Sequence, residues 1–435
     1  MIKMRKDLSS PGMLSTISSV FKQVPEPRQK HSKTIALSDC LMSGLAIFKL
    51  KFPSLLQFDN ARETELIKHN LKTLFKIEQS PCDTYMRERL DEVAPTYLRA
   101  AFTKVFSKLQ RGKSLETFQY IDNHYLLSVD GTGHFSSNDI HCDSCCVKHH
   151  TNGKVTYYHQ MLGAVFVHPA HKEVIPIAPE PILKGDGASK NDCERNASKR
   201  LLCDFRREHP HLKTIVVEDG LASNGPHIKL LKSLELRFIL GAKPKDHKFL
   251  FDWVSHSKTQ HYEYIDAKGV KHEFEFINKV PLNETHFDEE VNFLHYRETQ
   301  PNGKQQTFTW VSDLFLSEKT VFKIMRAGRA RWKVENETFN TLKNQGYHFE
   351  HNFGHGKQYL STVFSYLMML AFLVDQVEAL CCQLFAKAIE TAKRKTYLWE
   401  KIRGKFTEYF IDSWQDLYQA IAYKTGNARL IVDTG

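Results

Sequence analysis

The sequence has no apolar run that reads as a membrane span. Its most apolar stretch, Tyr359 to Val374, is short, carries Ser361, Thr362 and Ser365, and runs into Asp375, which predicts a buried helix. Met1 to Ser10 is charged and polar, so no cleavable leader is expected. There is no internal repeat and no low-complexity tract. Gly185-Asp186-Gly187 lacks the surrounding pattern of a phosphate loop. Sequence order shows no Ser/His/Asp or Cys/His nucleophile set. The nine cysteines are odd in number and irregularly spaced, which fits a reducing cytosol better than a disulfide framework.

What is present is a chain of 435 residues, 41% hydrophobic and 25% charged, enough for two or three domains and a large core. The net charge is +10 and the pI about 9.0. Residues 1–120 hold 20 Lys and Arg against 12 Asp and Glu, so +8 of the +10 lies there. A basic surplus concentrated in one region favours a polyanion, nucleic acid before a membrane surface.

Periodicity divides the chain into five segments. Residues 1–119 read as short helices, with Leu37, Leu41, Leu45 and Phe48 and then Leu98, Phe102, Val105 and Leu109 at helical spacing and Pro25, Pro27, Pro53 and Pro81 as breaks. A DNA-contacting region and a plain helical bundle fit this equally. Residues 120–235 alternate strand and helix. Tyr125 to Asp130, Tyr157 to His168, Glu173 to Ala178 and Thr214 to Asp219 read as strands; Asp192 to Arg207 and Ser223 to Leu234 read as helices, an α/β layout. Residues 236–318 look like a β-rich insertion, with strands at Arg237 to Gly241, Tyr262 to Ile265, Glu273 to Ile277, Val291 to Arg297 and Thr307 to Val311, and an Asn302-Gly303 hairpin turn. Helix resumes in 319–395, including a long apolar helix after His355, and 396–435 is left as a tail.

Three carboxylates stand out on three elements. Asp130 and Asp219 end apolar strands, the edge at which open α/β sheets bind ligands. Acids there often only cap the next turn. Glu335 lies on a helical segment four residues after Arg331, so the two share a face, and in isolation such a pair is usually a solvated ion pair. Together the three form a donor set for hard divalent cations, and two such cations serve phosphoryl transfer by activating the attacking oxygen and stabilising the leaving one. Glu218, Glu337 and Asp313 are neighbouring acids that strand or helix geometry is expected to turn elsewhere.

These residues resemble the DDE transposases of bacterial insertion sequences, in the group with a β-rich insertion before the last acid. The signature there is Tyr, two residues, Arg, three residues, Glu, six residues, Lys. Arg331-Trp332-Lys333-Val334-Glu335 matches its Arg-to-Glu part. Val129-Asp130-Gly131 and Glu218-Asp219-Gly220-Leu221-Ala222-Ser223-Asn224 are similar to the first and second acid motifs. Leu342 to Tyr347, Glu350 to Gly356 and Asp192-Cys193-Glu194-Arg195 also resemble one subgroup. Two positions depart: Gly328 stands where the signature has Tyr, and Lys343 lies eight residues after Glu335 rather than seven. The resemblance implies an RNase H-like catalytic core, magnesium or manganese held by Asp130, Asp219 and Glu335, and phosphate contacts from Arg331 and Lys343, with Arg329 and Lys333 beside them. It implies cleavage at transposon ends, strand transfer into target DNA, a homodimer pairing two ends, and a cytoplasmic, nucleoid-associated protein. A nuclease without strand transfer and a non-catalytic DNA-binding relative are the rival readings. Trp332 reads either as a base-stacking residue or as a core Trp.

His141-Cys142, Cys145-Cys146 and His149-His150 crowd into ten residues. Cys142 and Cys145 have zinc-knuckle spacing, His149 or His150 follows, and His159 is a further candidate. A structural zinc site and a His- and Cys-rich loop are both open. Of the basic clusters, Lys199-Arg200, Arg206-Arg207 and Lys243 to Lys248 read as solvated faces, while Arg326 to Lys333 flanks the proposed acid.

Overall fold

The computed structural model describes residues 6–28, 35–187, 190–423 and 431–432. Its helical beginning follows the apolar spacing and the proline breaks. Helices span Ser10–Phe21, Leu37–Lys49, Leu55–Ala61, Glu65–Phe75, Asp83–Asp91 and Arg99–Arg111. Ser54 and Thr64 start two of them by accepting the backbone N–H of Gln57 and Ile67. Leu41, Leu45, Phe48, Phe102, Val105 and Leu109 are all buried.

The long apolar stretch is a helix, Leu360–Cys381, but it stops at extended Cys382, and a second helix, Gln383–Ala392, follows. The first is long and apolar enough to cross a membrane, yet 94% of its apolar window is buried inside the protein. It packs against the N-terminal helices: buried Lys49 bonds Asp375 and, at 2.7 Å, Glu378, and Ser10 N–H donates to Glu378. Residues 396–435, read as a tail, contribute most of helix Lys395–Glu408 and all of Trp414–Ala422. The Trp414 indole donates to the Leu74 carbonyl at 3.0 Å, and Asn70 donates to the Phe406 and Tyr409 carbonyls. The two ends of the chain therefore share one apolar core.

One mixed sheet carries the rest. Its main strands are β1 (His124–Ser137), β2 (Cys146–His149), β3 (Val155–Val167), β4 (Thr214–Glu218), β5 (Arg237–Gly241), β6 (Gln260–Ile265), β7 (Lys271–Pro281), β8 (Glu290–Thr299) and β9 (Gln305–Ser312). They lie in the order β2-β3-β1-β4-β5-β9-β8-β7-β6. Short strands Ile175–Pro176 and Glu180–Ile182 also pair with β3. β3 and β1 are antiparallel, whereas β1, β4 and β5 run parallel. Residues 236–318 begin with β5, which pairs in parallel with β4. The meander β6 to β9 then extends the same sheet, because β9 pairs antiparallel with β5. The Asn302-Gly303 turn is present: Gly303 has φ 82°, and Asn302 Oδ1 accepts the Lys304 N–H at 3.0 Å.

Candidate active site

β1 does not end at Asp130, as the apolar run implies, but continues to Ser137. What ends is its parallel partner. The β1–β4 ladder closes at Ser128 opposite Val217, and beyond it β1 is paired with β3 alone. Asp130 is two residues past that point on one strand and Asp219 two residues past it on the other. Both line one small cleft of about 30 Å³, together with Glu194, Arg195, Ser198, Glu218 and His227. Each acid is oriented by a local N–H: Gly131 donates to Asp130 Oδ1 at 2.8 Å and Leu221 to Asp219 Oδ1 at 2.9 Å.

Glu335 arrives from a distant part of the chain. Helix Val321–Ala330 leads, through Arg331, into a π-helical turn, Val334–Phe339, that carries it; such turns frequently occur at functional sites. Two contacts dock this turn on the sheet. Ser128 Oγ donates to the Arg331 carbonyl at 3.0 Å. Phe339 lies on Gly163, the β3 residue opposite Asp130, where a Cβ would come within 2.7 Å of the ring. Gly163 thereby lets Glu335 approach Asp130.

The Arg331 guanidinium bridges the two acids, with Nη1 3.0 Å from Asp130 Oδ2 and Nη2 3.0 Å from Glu335 Oε1. Burial and a hydrogen bond with Glu335 push the Asp130 carboxyl up to about 7, against the opposing pull of Arg331. Asp130 and Glu335 share the Arg331 guanidinium, and Asp130 and Asp219 share a cleft that Glu335 does not line. Among the described residues Asp130, Asp219 and Glu335 do not converge on one point as a formed ligand set does; drawn together, the three carboxylates would suit a hard divalent cation.

Glu218 is diverted. It pairs with buried His227 at 2.6 Å; although burial works against it, Glu218 holds that imidazole above its ordinary value. Asp313 pairs with Arg237 and accepts the Phe238 N–H at 3.0 Å. A further acid, Glu194 on helix Lys190–Glu208, lies so close to Gly131 that a Cβ there would meet its carboxyl carbon at 3.3 Å. Only the similarity of Asp192 to Arg195 to the transposase subgroup pointed towards it.

The flanking cations separate. Lys343 pairs with Glu350 at 2.8 Å. Arg329 pairs with Glu298, and Lys333 donates to the His171 carbonyl; with Arg326 both line a different cavity of about 300 Å³ beside Tyr296 and Phe322. Of the strip Arg326 to Lys333, only Arg331 is paired with the acids. Trp332 is not a core residue: it is 46% exposed, with the Arg331 guanidinium 4.7 Å from its ring centre. Gly328 has a steric reason, since a Cβ would lie 2.5 Å from two atoms of the Trp310 indole. Elsewhere, Arg200 pairs with Glu180 and Asp186, and Arg206 caps five backbone carbonyls, so both of these are structural rather than solvated.

The Cys/His cluster converges with a changed membership. Cys142, Cys145 and His159 meet His355, all within 4.8 Å of one another. His149 and His150 lie outside it: His149 is exposed, and His150 Nε2 bonds Thr156 Oγ1 at 2.9 Å. β2 runs on from Cys146 to His149 opposite the start of β3, away from the cluster, whereas β3 brings His159 alongside Phe135.

No known family profile and no curated protein matches the sequence. Among solved structures, the chain is similar to piggyBac transposase in its synaptic complex with hairpin DNA. That alignment covers 96% of this chain and 79% of that one, at 11% identity and a TM-score of 0.38.

Proposed function

We propose that this chain is a DDE transposase that binds transposon-end DNA, cleaves it and transfers the freed strand to target DNA. The observation that carries the reading is that Asp130 and Asp219 line one cleft where parallel pairing ends, while Arg331 bridges Asp130 to Glu335. An RNase H-like core belongs to the same reading, and the antiparallel β3–β1 pair followed by parallel β4 and β5 supports it. Magnesium or manganese held by the acids supplies activation of the attacking oxygen and stabilisation of the leaving oxygen.

The protein's own groups do the rest. The Gly131 and Leu221 N–H groups fix the rotation of Asp130 and Asp219. Arg331 keeps Asp130 and Glu335 from repelling each other, and its planar fork is of the kind that grips a phosphate. Trp332, exposed beside it, offers a flat face to a displaced base. Glu194 adds a fourth carboxyl at the cleft. Lys343, Arg329 and Lys333 contact the DNA backbone in this reading, and two ends held at once call for a homodimer working on the nucleoid.

The test is a labelled transposon end incubated with the protein and magnesium, followed by a second duplex. Cleavage and joining are expected, and Asp130→Ala, Asp219→Ala or Glu335→Ala should abolish both while end-binding persists. Cleavage without joining would reduce the protein to a nuclease, binding alone would make it a non-catalytic relative, and full activity of Asp130→Ala would overturn the site.

A further inference from the structure

Cys142, Cys145, His159 and His355 come from three separate pieces of chain. Cys142 and Cys145 stand at either end of a tight turn closed by Cys145 N–H to the Cys142 carbonyl at 3.1 Å. His159 is on β3, and His355 lies in the loop between Asn344 and Leu360. Cys145, His159 and His355 are buried.

Five of the six separations among the four atoms lie near those of a tetrahedral zinc ion, and Cys142 Sγ is within 4.8 Å of His355 Nε2. A tetrahedral zinc ion with Zn–S of about 2.3 Å and Zn–N of about 2.0–2.1 Å sets two sulfurs about 3.8 Å apart, sulfur and nitrogen about 3.5 Å, and two nitrogens about 3.3 Å. Here the two Sγ atoms are 3.8 Å apart. His159 Nε2 is 3.5 Å from Cys142 Sγ and 3.4 Å from Cys145 Sγ. His355 Nε2 is 3.3 Å from Cys145 Sγ and 3.1 Å from His159 Nε2. A disulfide is excluded by the same sulfur separation, since a bonded pair lies at about 2.05 Å.

The surroundings are built for ligation. The Cys142 N–H donates to Cys145 Sγ at 3.4 Å, support suited to a thiolate. His355 Nδ1 donates to the Gly356 carbonyl at 2.8 Å, which leaves Nε2 with its lone pair facing the other three ligands. The loop bearing His355 is held from outside the cluster: Asp91 accepts the N–H groups of Lys357, Gln358, Tyr359 and Leu360. Gly356, at φ 70°, passes so close to Asp91 that a Cβ would collide with it.

We propose that these four residues form a structural zinc site that ties the β1–β3 hairpin to the loop following Glu335. Two thiolates and two neutral imidazoles close the tetrahedron, so no position is left for substrate. On binding, the two thiols release their protons to solvent, and the dication is balanced by two thiolate charges. The site is distinct from the carboxylate cleft. His159 is opposite Phe135, five residues beyond Asp130 on β1, which is about 16 Å at about 3.3 Å per residue. Its soft ligands also select a different metal from the all-oxygen set. The clamp joins the strand of Asp130 to the segment leaving Glu335, and so holds the two acids in register.

The inference stands apart from the transposase reading, because its measurements need no DNA. The full-length protein, purified under reducing conditions, is expected to carry about one zinc per chain by elemental analysis. Cobalt added to the metal-stripped protein is expected to give tetrahedral thiolate absorption bands. His355→Ala and Cys142→Ser should release zinc at a chelator concentration at least about tenfold lower, whereas His149→Ala, His150→Ala and Asp130→Ala should match the parent. Wild-type protein without zinc and with a featureless cobalt spectrum would overturn the proposal. So would zinc retention that depends on His149 or His150 and not on His355.

Discussion

Replacing Asp130 with Asn should make the metal-free protein more stable, by an amount that depends on pH. The half-buried Asp130 carboxyl, close to Glu335, is pushed up to about 7 from an ordinary 3.8. A carboxyl raised in this way binds its proton more tightly in the folded chain than in the unfolded one. Its burden is absent below about pH 3.8, grows as pH rises to about 7, and is constant above that. The interval of about three pH units, at about 1.4 kcal/mol each, sets a ceiling of about 4 kcal/mol, a large share of the 5–15 kcal/mol typical of folded proteins. Urea unfolding in EDTA measures it: Asp130→Asn should exceed the parent at pH 8, by no more than about 4 kcal/mol, and by much less at pH 5. Magnesium should stabilise the parent at pH 8 and leave the variant unmoved. An advantage for the variant that is equal at both pH values would show that the acids are not crowded, and the argument for a cation at this cleft would fall with it.

Other expectations follow from single contacts. Gly328→Ala forces a methyl into the Trp310 indole and should cost about 1–3 kcal/mol in urea unfolding; an unchanged midpoint would contradict that packing. Lys49→Ala leaves buried Glu378 with only the neutral donors Ser10 and Tyr418, while Asp375 keeps Lys51, and should cost about 3–5 kcal/mol by the same measurement. Lys343→Ala removes only a half-exposed pair with Glu350, so stability should change by less than about 1 kcal/mol, and end cleavage should fall far less than in Arg331→Ala. Equal loss in the two variants would put Lys343 at the scissile phosphate. Trp332→Ala should leave the melting curve intact, because the side chain is exposed, while weakening binding to single-stranded end DNA in a titration.

Local pattern alone made the acids visible. Strand periodicity put Asp130 and Asp219 at the sheet edge, and helical spacing put Arg331 on the face of Glu335, because both periodicities act over a few residues. The helical beginning and the α/β middle were legible for the same reason. Three things were not. The meander of residues 260–312 extends the core sheet, since β9 chose β5 as its neighbour, and strand pairing between distant segments leaves no local mark. Glu335 reached Asp130 because Gly163 admits Phe339, a contact between residues far apart in sequence. The metal-type cluster took His355 from a distant loop and passed over His149 and His150, although these were nearer in sequence. By itself the sequence determined which side chains are candidates for chemistry and on which element each of them sits. Only the tertiary structure decided which of them meet, because convergence depends on sheet register, on the volume a glycine leaves empty and on where a loop is pinned.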